Sequence, residues 1–348
     1  MDRTRMIRDE LTRRLDAGEY PPGSKFPPET VLAEEFKVSK LTINKIVAMI
    51  SESGRLIRGK SGAGTLVAPS FFHPRGHLFY LGPLLPYASR AVSGFQAECV
   101  LRGYFPVIFN PGSEEISRCL QMLNSKNAAG AVSMQLGILP PAGDLNMFFL
   151  DYPMNHVCIR PHLHYLDSDN YNGARKLMKK ILEHGHREIV IFSSQRYFFT
   201  PEAPVPARVR GFQDVLREAG MTDEKERTFY ANLSLNETQI VLKKILKKYP
   251  STTVICTDSD DGADLIHTAA AQMGLSIPGE TALTGFGNIT SQQIPTVDQH
   301  PELQGQLAAR FLIDFAEGKL SDSTMIDEKI PATLVNIGDL PVNLNHSS

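Results

Sequence analysis

Val38-Ser39-Lys40-Leu41-Thr42-Ile43-Asn44-Lys45 sets a capped, two-faced helix into the first fifth of this 348-residue chain. Ser39 reads as the N-cap, its hydroxyl placed to accept from the backbone N–H of Leu41 or Thr42. Ile43, Ile46, Val47 and Ile50 recur on one helix face, and Gly54 follows the last turn. The opposite face carries Lys40, Thr42, Asn44 and Lys45, side chains that bond to phosphates and base edges. One apolar and one hydrogen-bonding face suit a recognition helix that packs on its own domain while lying in a DNA groove.

The flanking segments supply the rest of such a domain. An amphipathic helix is expected from about Thr4 to Ala17, with Ile7, Leu11 and Leu15 inward and Gly18 closing it. Tyr20-Pro21-Pro22-Gly23 reads as a turn, and Pro28-Glu29 opens a short second helix that buries Val31, Leu32 and Phe36. Leu56-Ile57-Arg58 and Thr65-Leu66-Val67 enclose the glycine-rich run Gly59-Lys60-Ser61-Gly62-Ala63-Gly64, which predicts a two-stranded hairpin, or wing. Three helices and a hairpin make a winged helix-turn-helix. Taken singly, the lysines would be a solvated helix face and the glycines an ordinary turn; it is their order that points to DNA.

The segment from Ile7 to Val67 resembles the DNA-binding domain of the GntR family of bacterial transcription regulators. The resemblance is carried by Gly18-Glu19-Tyr20-Pro21-Pro22-Gly23, Phe26-Pro27-Pro28-Glu29, Leu32-Ala33-Glu34-Glu35-Phe36, Val38-Ser39-Lys40, Thr42-Ile43 and Gly62-Ala63-Gly64-Thr65-Leu66-Val67. It implies operator contacts from Thr30, Ser39, Lys40, Leu41, Thr42, Asn44 and Lys45, with Lys60, Gly62 and Gly64 in the wing. Thr30, Lys40 and Asn44 stand where the family usually places arginine. Lysine neutralises phosphate but lacks the planar fork that pairs with guanine, whereas Asn44 suits an adenine edge. The family's operator preference therefore does not transfer.

Length predicts two or three domains, and 42% hydrophobic residues suffice for proper cores. The net charge is −2, divided into +3 over residues 1–68 and −5 over the remainder. A mildly basic head on a mildly acidic body fits a protein that touches DNA at one end, and its modest grip favours a homodimer. Cys99, Cys119, Cys158 and Cys256 are scattered without metal-ligand spacing and read as free thiols in a reducing cytoplasm. No signal core or membrane-length apolar run is evident, so the expected location is cytoplasmic, with no membrane partner. The expected domains are 1–68 (head), 69–76 (linker) and 77–348 (body). In the linker, Phe71 and Phe72 are candidates for docking on a surface and carrying a signal.

From His77 the pattern alternates strand and helix. Strands are expected at Leu78–Gly82, Phe105–Phe109, Ala129–Ser133, Met147–Leu150, Ile189–Phe192, Thr253–Cys256 and Ala282–Gly285. Helices are expected at Ala88–Arg102, Glu114–Leu123, Asn172–Glu183, Val205–Ala219, Glu237–Lys248, Ala263–Met273 and Glu302–Glu317. This predicts an α/β body of doubly wound parallel sheets in two lobes, with a cleft at the carboxyl ends of the strands, behind a small α+β head.

The succession Asp169–Ala174, His184–Ile189, Arg208-Val209-Arg210-Gly211-Phe212, Ser259–Ala263, Gly274–Pro278, Gly285-Phe286-Gly287-Asn288 and Ile294–Val297 resembles the effector domain of the LacI/GalR family. That family is itself similar to type I periplasmic sugar-binding proteins. The match is good from about Asp167 to Leu312 and weak from His77 to Pro161. A GntR-like head on such a body is similar to the architecture of arabinose-repressor-type regulators. The resemblance implies that Arg208 and Asp260 contact a small-molecule effector, with a carbohydrate as the default and nucleobases as alternatives. Tyr87 is the candidate aromatic platform, Phe198 and Phe199 are its alternatives, and Asp151 lies at another rim. The plain structural alternative makes Arg208 and Asp260 an ion pair between lobes. Gly287 replaces an acidic residue that most family members carry.

The reading is a dimeric, ligand-responsive repressor of a palindromic operator, with double-stranded DNA, an effector and a second copy as partners and no cofactor or metal. The rivals are a sugar-binding protein without a regulatory role and an enzyme. The winged head speaks against the first. Against the second, the sequence carries no phosphate-binding glycine loop and no catalytic triad spacing, and His184 and His186 suit a helix end.

Overall fold

The computed structural model describes residues 3–59, 64–68, 75–110, 115–123, 128–134, 145–151, 161–194 and 204–343, and divides the chain into two compact units, Met1–Arg75 and Gly76–Ser348. In the first unit, α1 (Arg3–Asp16), α2 (Glu29–Phe36) and α3 (Lys40–Glu52) precede β1 (Leu56–Arg58) and β2 (Thr65–Val67). Ile7, Leu11 and Leu15 of α1 meet Leu32, and Ile43, Ile46, Val47 and Ile50 of α3 close over them with Leu56 and Val67. Each such side chain contributes about 1.5–3 kcal/mol on full burial. β1 and β2 pair antiparallel with Leu56 opposite Val67 and Arg58 opposite Thr65, giving the expected wing. Its inner edge is extended by Phe26 N–H donating to Thr65 O at 2.8 Å and Val67 N–H to Ser24 O at 2.9 Å. Gly64, at φ +76°, turns the chain into β2 through a backbone conformation that side chains disfavour.

The second unit has two lobes built on separate parallel sheets. Its elements are β3 (His77–Leu81), α4 (Pro86–Leu101), β4 (Phe105–Phe109), α5 (Ile116–Leu123), β5 (Ala128–Met134), β6 (Met147–Leu150), β7 (Leu163–Ser168), α6 (Asn170–Glu183), β8 (Ile189–Ser194), α7 (Pro204–Glu218), β9 (Thr228–Ala231), α8 (Leu235–Lys248), β10 (Val254–Thr257), α9 (Asp260–Gln272), β11 (Ala282–Thr284), β12 (Thr296–Asp298), α10 (Pro301–Ala316), β13 (Asp327–Ile330) and β14 (Thr333–Val335). The first lobe's sheet runs β13-β7-β6-β5-β3-β4 and the second's β11-β10-β8-β9, both parallel throughout. In the first lobe α4 and α10 cover one face and α5 the other; in the second, α6 and α7 oppose α8 and α9. Helices on both faces of each sheet are what near-continuous apolar strands such as Ile189-Val190-Ile191-Phe192 require. The two-lobed, doubly wound expectation is borne out.

The chain passes between lobes at 168–170, 298–301 and 330–333, where β7, β12 and β13 hand over to α6, α10 and β14. Asp169 N–H donates to Ile330 O at 2.8 Å, tying two of the crossings together. α4 and α10 pack backbone to backbone: a Cβ on Gly94 would strike Glu302 O, and one on Gly305 would strike Ala91 O. That approach packs the first turns of α10 against the middle of α4. The expected strands are present, but β7, β9, β12, β13 and β14 join them without having been expected. Cys99, Cys119 and Cys256 are buried free thiols, while Cys158, Phe71 and Phe72 lie outside the described residues. Among the described residues no helix is long and apolar enough to cross a membrane.

Candidate functional site

Two surfaces carry polar side chains that the folding of their own unit does not fully explain. The first is the outer face of α3. Ser39 caps the helix, its Oγ accepting from Thr42 N–H at 3.1 Å and lying 2.8 Å from Thr42 Oγ1. Lys40, Leu41 and Lys45 are exposed, Leu41 by 69%, and Thr42 and Asn44 are half-buried. An exposed leucine at the tip of a cationic helix has no folding role but suits a thymine methyl. Arg13, Arg14 and Arg58 are engaged by Glu10, Glu35 and Glu29, whereas Lys40 and Lys45 form no ion pair among the described residues. Thr30 is exposed at the second position of α2.

Asn44 is more constrained than expected. Its Nδ2 donates to Glu29 Oε1 at 2.9 Å, and the same oxygen accepts from Arg58 Nη2 at 2.9 Å. Asn44 thus links α3, α2 and the wing, and its amide is not freely available to an adenine edge. Lys60 and Gly62 lie outside the described residues, and Gly64 is exposed at the base of the wing.

The second surface is a buried polar cluster where the lobes meet. From the first lobe, Tyr87 Oη donates to Asp151 Oδ2 at 2.5 Å, and Asp151 Oδ1 accepts from Ser168 N–H at 2.8 Å. Asp151 adopts φ +48°, an uncommon state for a non-glycine residue that recurs at binding sites. Gln304 Nε2 donates to Ser168 Oγ at 2.5 Å, and Ser168 Oγ donates to Gln299 O at 3.2 Å. Burial, and then the neighbouring Asp151 carboxylate, hold the Tyr87 phenol well above its ordinary value, so it remains a donor.

From the second lobe, Arg208 Nε donates to Asn170 Oδ1 at 2.8 Å and Nη1 to the Asp258 carbonyl oxygen at 2.7 Å. Its guanidinium lies 4.3 Å from the centroid of the Phe286 ring. Gln299 Nε2 also donates to Asn170 Oδ1, at 3.0 Å, joining this half of the cluster to the crossing that precedes α10. Burial lowers the Arg208 guanidinium from its ordinary value, opposed by the carboxylates of Asp258, Asp151 and Asp260. The residues of both lobes therefore feel one another across the space between them.

Asp260 occupies a different position from the one expected. Its Oδ2 accepts from the N–H groups of Ile289 at 2.6 Å and Thr290 at 3.1 Å, and its Oδ1 from Thr296 Oγ1 at 2.8 Å. The carboxylate is spent on organising the 285–296 turn. Nor does it pair with Arg208 as an interlobe bridge. The bridging role falls to Arg90 of α4, whose Nη2 donates to Asp298 at 3.1 Å and Nη1 to the carbonyl oxygens of Gly287 at 3.2 Å and Asn288 at 3.1 Å. Phe198 and Phe199 lie outside the described residues. The residues that the sequence reading passed over are Asp258, Asn170, Ser168, Gln299, Gln304 and Arg90. Asp258 and Ser168 were accessible in principle, since each ends a strand at the carboxyl edge where ligands bind. His184 and His186 are structural: His184 Nδ1 lies 2.8 Å from Lys180 O, and His186 bridges Thr253 Oγ1 and Pro341 O.

Residues 3–67 match the family of bacterial regulatory proteins called gntR, and residues 178–336 match the periplasmic binding protein-like domain. The chain carries a gntR-family head on a periplasmic-binding-protein-like body. The ribose operon repressor of Halalkalibacterium halodurans is 26% identical over 332 residues, spanning 87% of this chain and 94% of that protein. The PurR transcriptional repressor of Vibrio vulnificus is 21% identical over 251 residues, spanning 69% of this chain and 74% of its own length. Among solved structures, a CelR–cellobiose complex superposes with a TM-score of 0.62 at 17% identity, covering 89% of this chain and 98% of its own. A LacI family regulator from Enterococcus faecium with bound ribose gives 0.59 at 16% identity, covering 74% of this chain and 96% of its own. At these identities the structures establish the fold of the periplasmic-binding-protein-like body. The likeness reaches the first lobe, where the sequence resemblance was weak.

Proposed function

We propose that this protein is a transcriptional repressor whose gntR-type head binds operator DNA and whose body binds a small polar effector that alters that grip. The observation that carries the reading is the joining, in one chain, of a capped cationic helix to an interlobe cluster of buried donors and acceptors. Lys40 and Lys45 supply phosphate contacts, Ser39 and Thr42 the start of the reading helix, and Leu41 an apolar base contact. The half-buried Asn44 tunes the placement of α3 through Glu29.

In the cluster, Tyr87, Asp151, Asn170, Arg208 and Gln299 form the kind of alternating donor and acceptor surface that a polyhydroxylated molecule satisfies. The ribose operon repressor named above, with its high mutual coverage, favours a carbohydrate over a nucleobase. An effector spanning both lobes would favour one arrangement of the lobes. Only such a difference in affinity between arrangements can move operator occupancy.

The active species in this reading is a homodimer. β4 is an edge strand beginning at half-exposed Phe105, and Leu84, Leu85, Val100 and Leu101 of the adjoining α4 segment are exposed by 49–77%. Exposed apolar side chains beside an unpaired strand edge mark an association surface. A dimer presents two recognition helices to successive major-groove faces of a palindromic site.

The test couples selection of duplexes from a random library with a thermal-shift screen of sugars and purines on the full chain. The expected result is enrichment of a two-fold symmetric sequence and a melting shift with one sugar, which then changes binding to that sequence. Enrichment of nothing above a scrambled duplex would remove the repressor reading.

A further inference from the structure

Arg90 stands on α4 one helical turn after Tyr87, and each nitrogen of its guanidinium is in use. Nε donates to Glu302 Oε1 of α10 at 2.5 Å, within the first lobe. Nη2 donates to both carboxylate oxygens of Asp298, at 3.2 and 3.1 Å, where the chain crosses between lobes. Nη1 reaches the second lobe, donating to the carbonyl oxygens of Gly287 at 3.2 Å and Asn288 at 3.1 Å. One side chain is thus bonded to its own lobe, to a crossing and to the other lobe.

The turn that receives Arg90 is shaped to present those carbonyls. Gly287 and Asn288 both lie at positive φ, +135° and +54°, a state uncommon for the asparagine. Asn288 Nδ2 donates to Asp298 Oδ2 at 3.0 Å, so the carboxylate that Arg90 holds also holds the turn. The next two N–H groups, of Ile289 and Thr290, donate to Asp260 instead. The turn is gripped on its carbonyl side by a cation of the first lobe and on its N–H side by an anion of the second. Both ends of the bridge adjoin the cleft cluster: Tyr87 lies on the same face of α4, and Phe286, whose ring meets the Arg208 guanidinium, immediately precedes Gly287.

We propose that Arg90 is a latch between the lobes, its grip on the 287–288 carbonyls and on Asp298 favouring the arrangement in which the lobes meet at this turn over more open ones. Moving the lobes apart here breaks charge-assisted bonds of a side chain that is only 24% exposed, and water must replace them. The latch acts whatever molecule enters the cleft. Where the effector reading above holds, an effector that favours the same arrangement meets a state already populated, and loss of the latch weakens its binding without removing a contact to it.

The experiment measures the distance between the lobes by pulsed electron paramagnetic resonance on the full chain, with neither DNA nor sugar added. Spin labels are placed at Lys244→Cys on α8 and Asp322→Cys after α10, both exposed positions. Cys158→Ser completes the background, because Cys99, Cys119 and Cys256 are buried. Labelled chain is diluted into unlabelled chain, so that only distances within one chain are read. With Arg90 in place one main distance is expected. Arg90→Met should raise the share of a second distance, relative to the main one, by about tenfold or more. Arg90→Lys keeps the charge but lacks the planar fork that reaches a carboxylate and two carbonyls together, so it should fall between the two. It carries the test if Arg90→Met does not fold. An arginine that merely stabilises the body would lower the melting temperature of the variants and leave their distance distribution as in wild type, and that result would overturn the proposal. A wild type already divided evenly between two distances would overturn it as well. Neither result depends on whether DNA or any sugar binds, so the latch and the effector reading fall separately.

Discussion

The head and the cleft of the body use polar side chains in opposite ways. On α3, Lys40 and Lys45 stand in solvent, and the apolar residues behind them recur every three or four positions. In the cleft, Tyr87, Asp151, Ser168, Asn170, Arg208, Asp258, Gln299 and Gln304 come from segments far apart in sequence, and all but Tyr87 are buried outright. A surface reader of DNA can be written in one short periodic stretch, because phosphate and base edges arrive from outside. A cleft that must strip water from a small molecule has to bring its groups together from across the fold, and leaving one of them incomplete destabilises the empty state.

That difference breaks first, if it breaks, at Asp260. Asp260→Ala leaves the donors of Ile289, Thr290 and Thr296 without their acceptor and should cost the body about 3–5 kcal/mol, read as a lower urea midpoint. A variant that unfolds like wild type but no longer binds effector would return Asp260 to the ligand-contacting role first expected of it.

Asp258→Asn should act with the opposite sign. The Asp258 carboxyl lies near 6 in the folded protein against an ordinary 3.8, so its protonated form favours folding. That contribution is complete below about pH 3.8 and is lost as pH rises through 6, an ionisation cost of about 3 kcal/mol at neutral pH. The variant should therefore gain stability over wild type progressively between pH 4 and about 6.5, with a constant margin above. A margin that does not change over that range would mean that Asp258 is not held against its charge.

In the head the effects are smaller. Ser39→Ala removes the bond to Thr42 N–H and should cost about 1 kcal/mol of head stability. Lys40→Ala should leave stability unchanged and reduce the salt dependence of DNA binding by about one phosphate contact per protomer. If it changed base preference while the salt slope stayed as in wild type, Lys40 would be a base reader.

The same contrast explains what could be read from sequence. The head was legible almost to the residue, because its helices are amphipathic and its caps and glycines are local signals. Where the expectation missed, as at Asn44, the cause was a partner fifteen positions away, Glu29, that no periodicity reveals. The lobes of the body were legible from their apolar central strands. β13 was not: Asp327-Glu328-Lys329 form an exposed edge strand with only Ile330 buried, so its pairing with β7 leaves no hydrophobic signature. The cleft was half legible. Arg208 was named from resemblance, with Tyr87 and Asp151 as candidates beside it, but the capture of Asp260 by the 285–296 turn depended on donors about thirty positions away that no local pattern reveals. Gln304, buried on a helix face otherwise lined by Pro301, Gly305 and Ala308, gave only the faint signal of an amide among small residues.

The central claim is that the cleft and the DNA face are thermodynamically coupled. The direct measurement is a pair of titrations of the full chain: operator affinity with and without saturating effector, and effector affinity with and without saturating operator. The account predicts that each ligand changes the other's dissociation constant by the same factor, about fivefold or more. Unchanged operator affinity at full effector occupancy would contradict it, leaving a DNA-binding head and a sugar-binding body that share a chain without communicating.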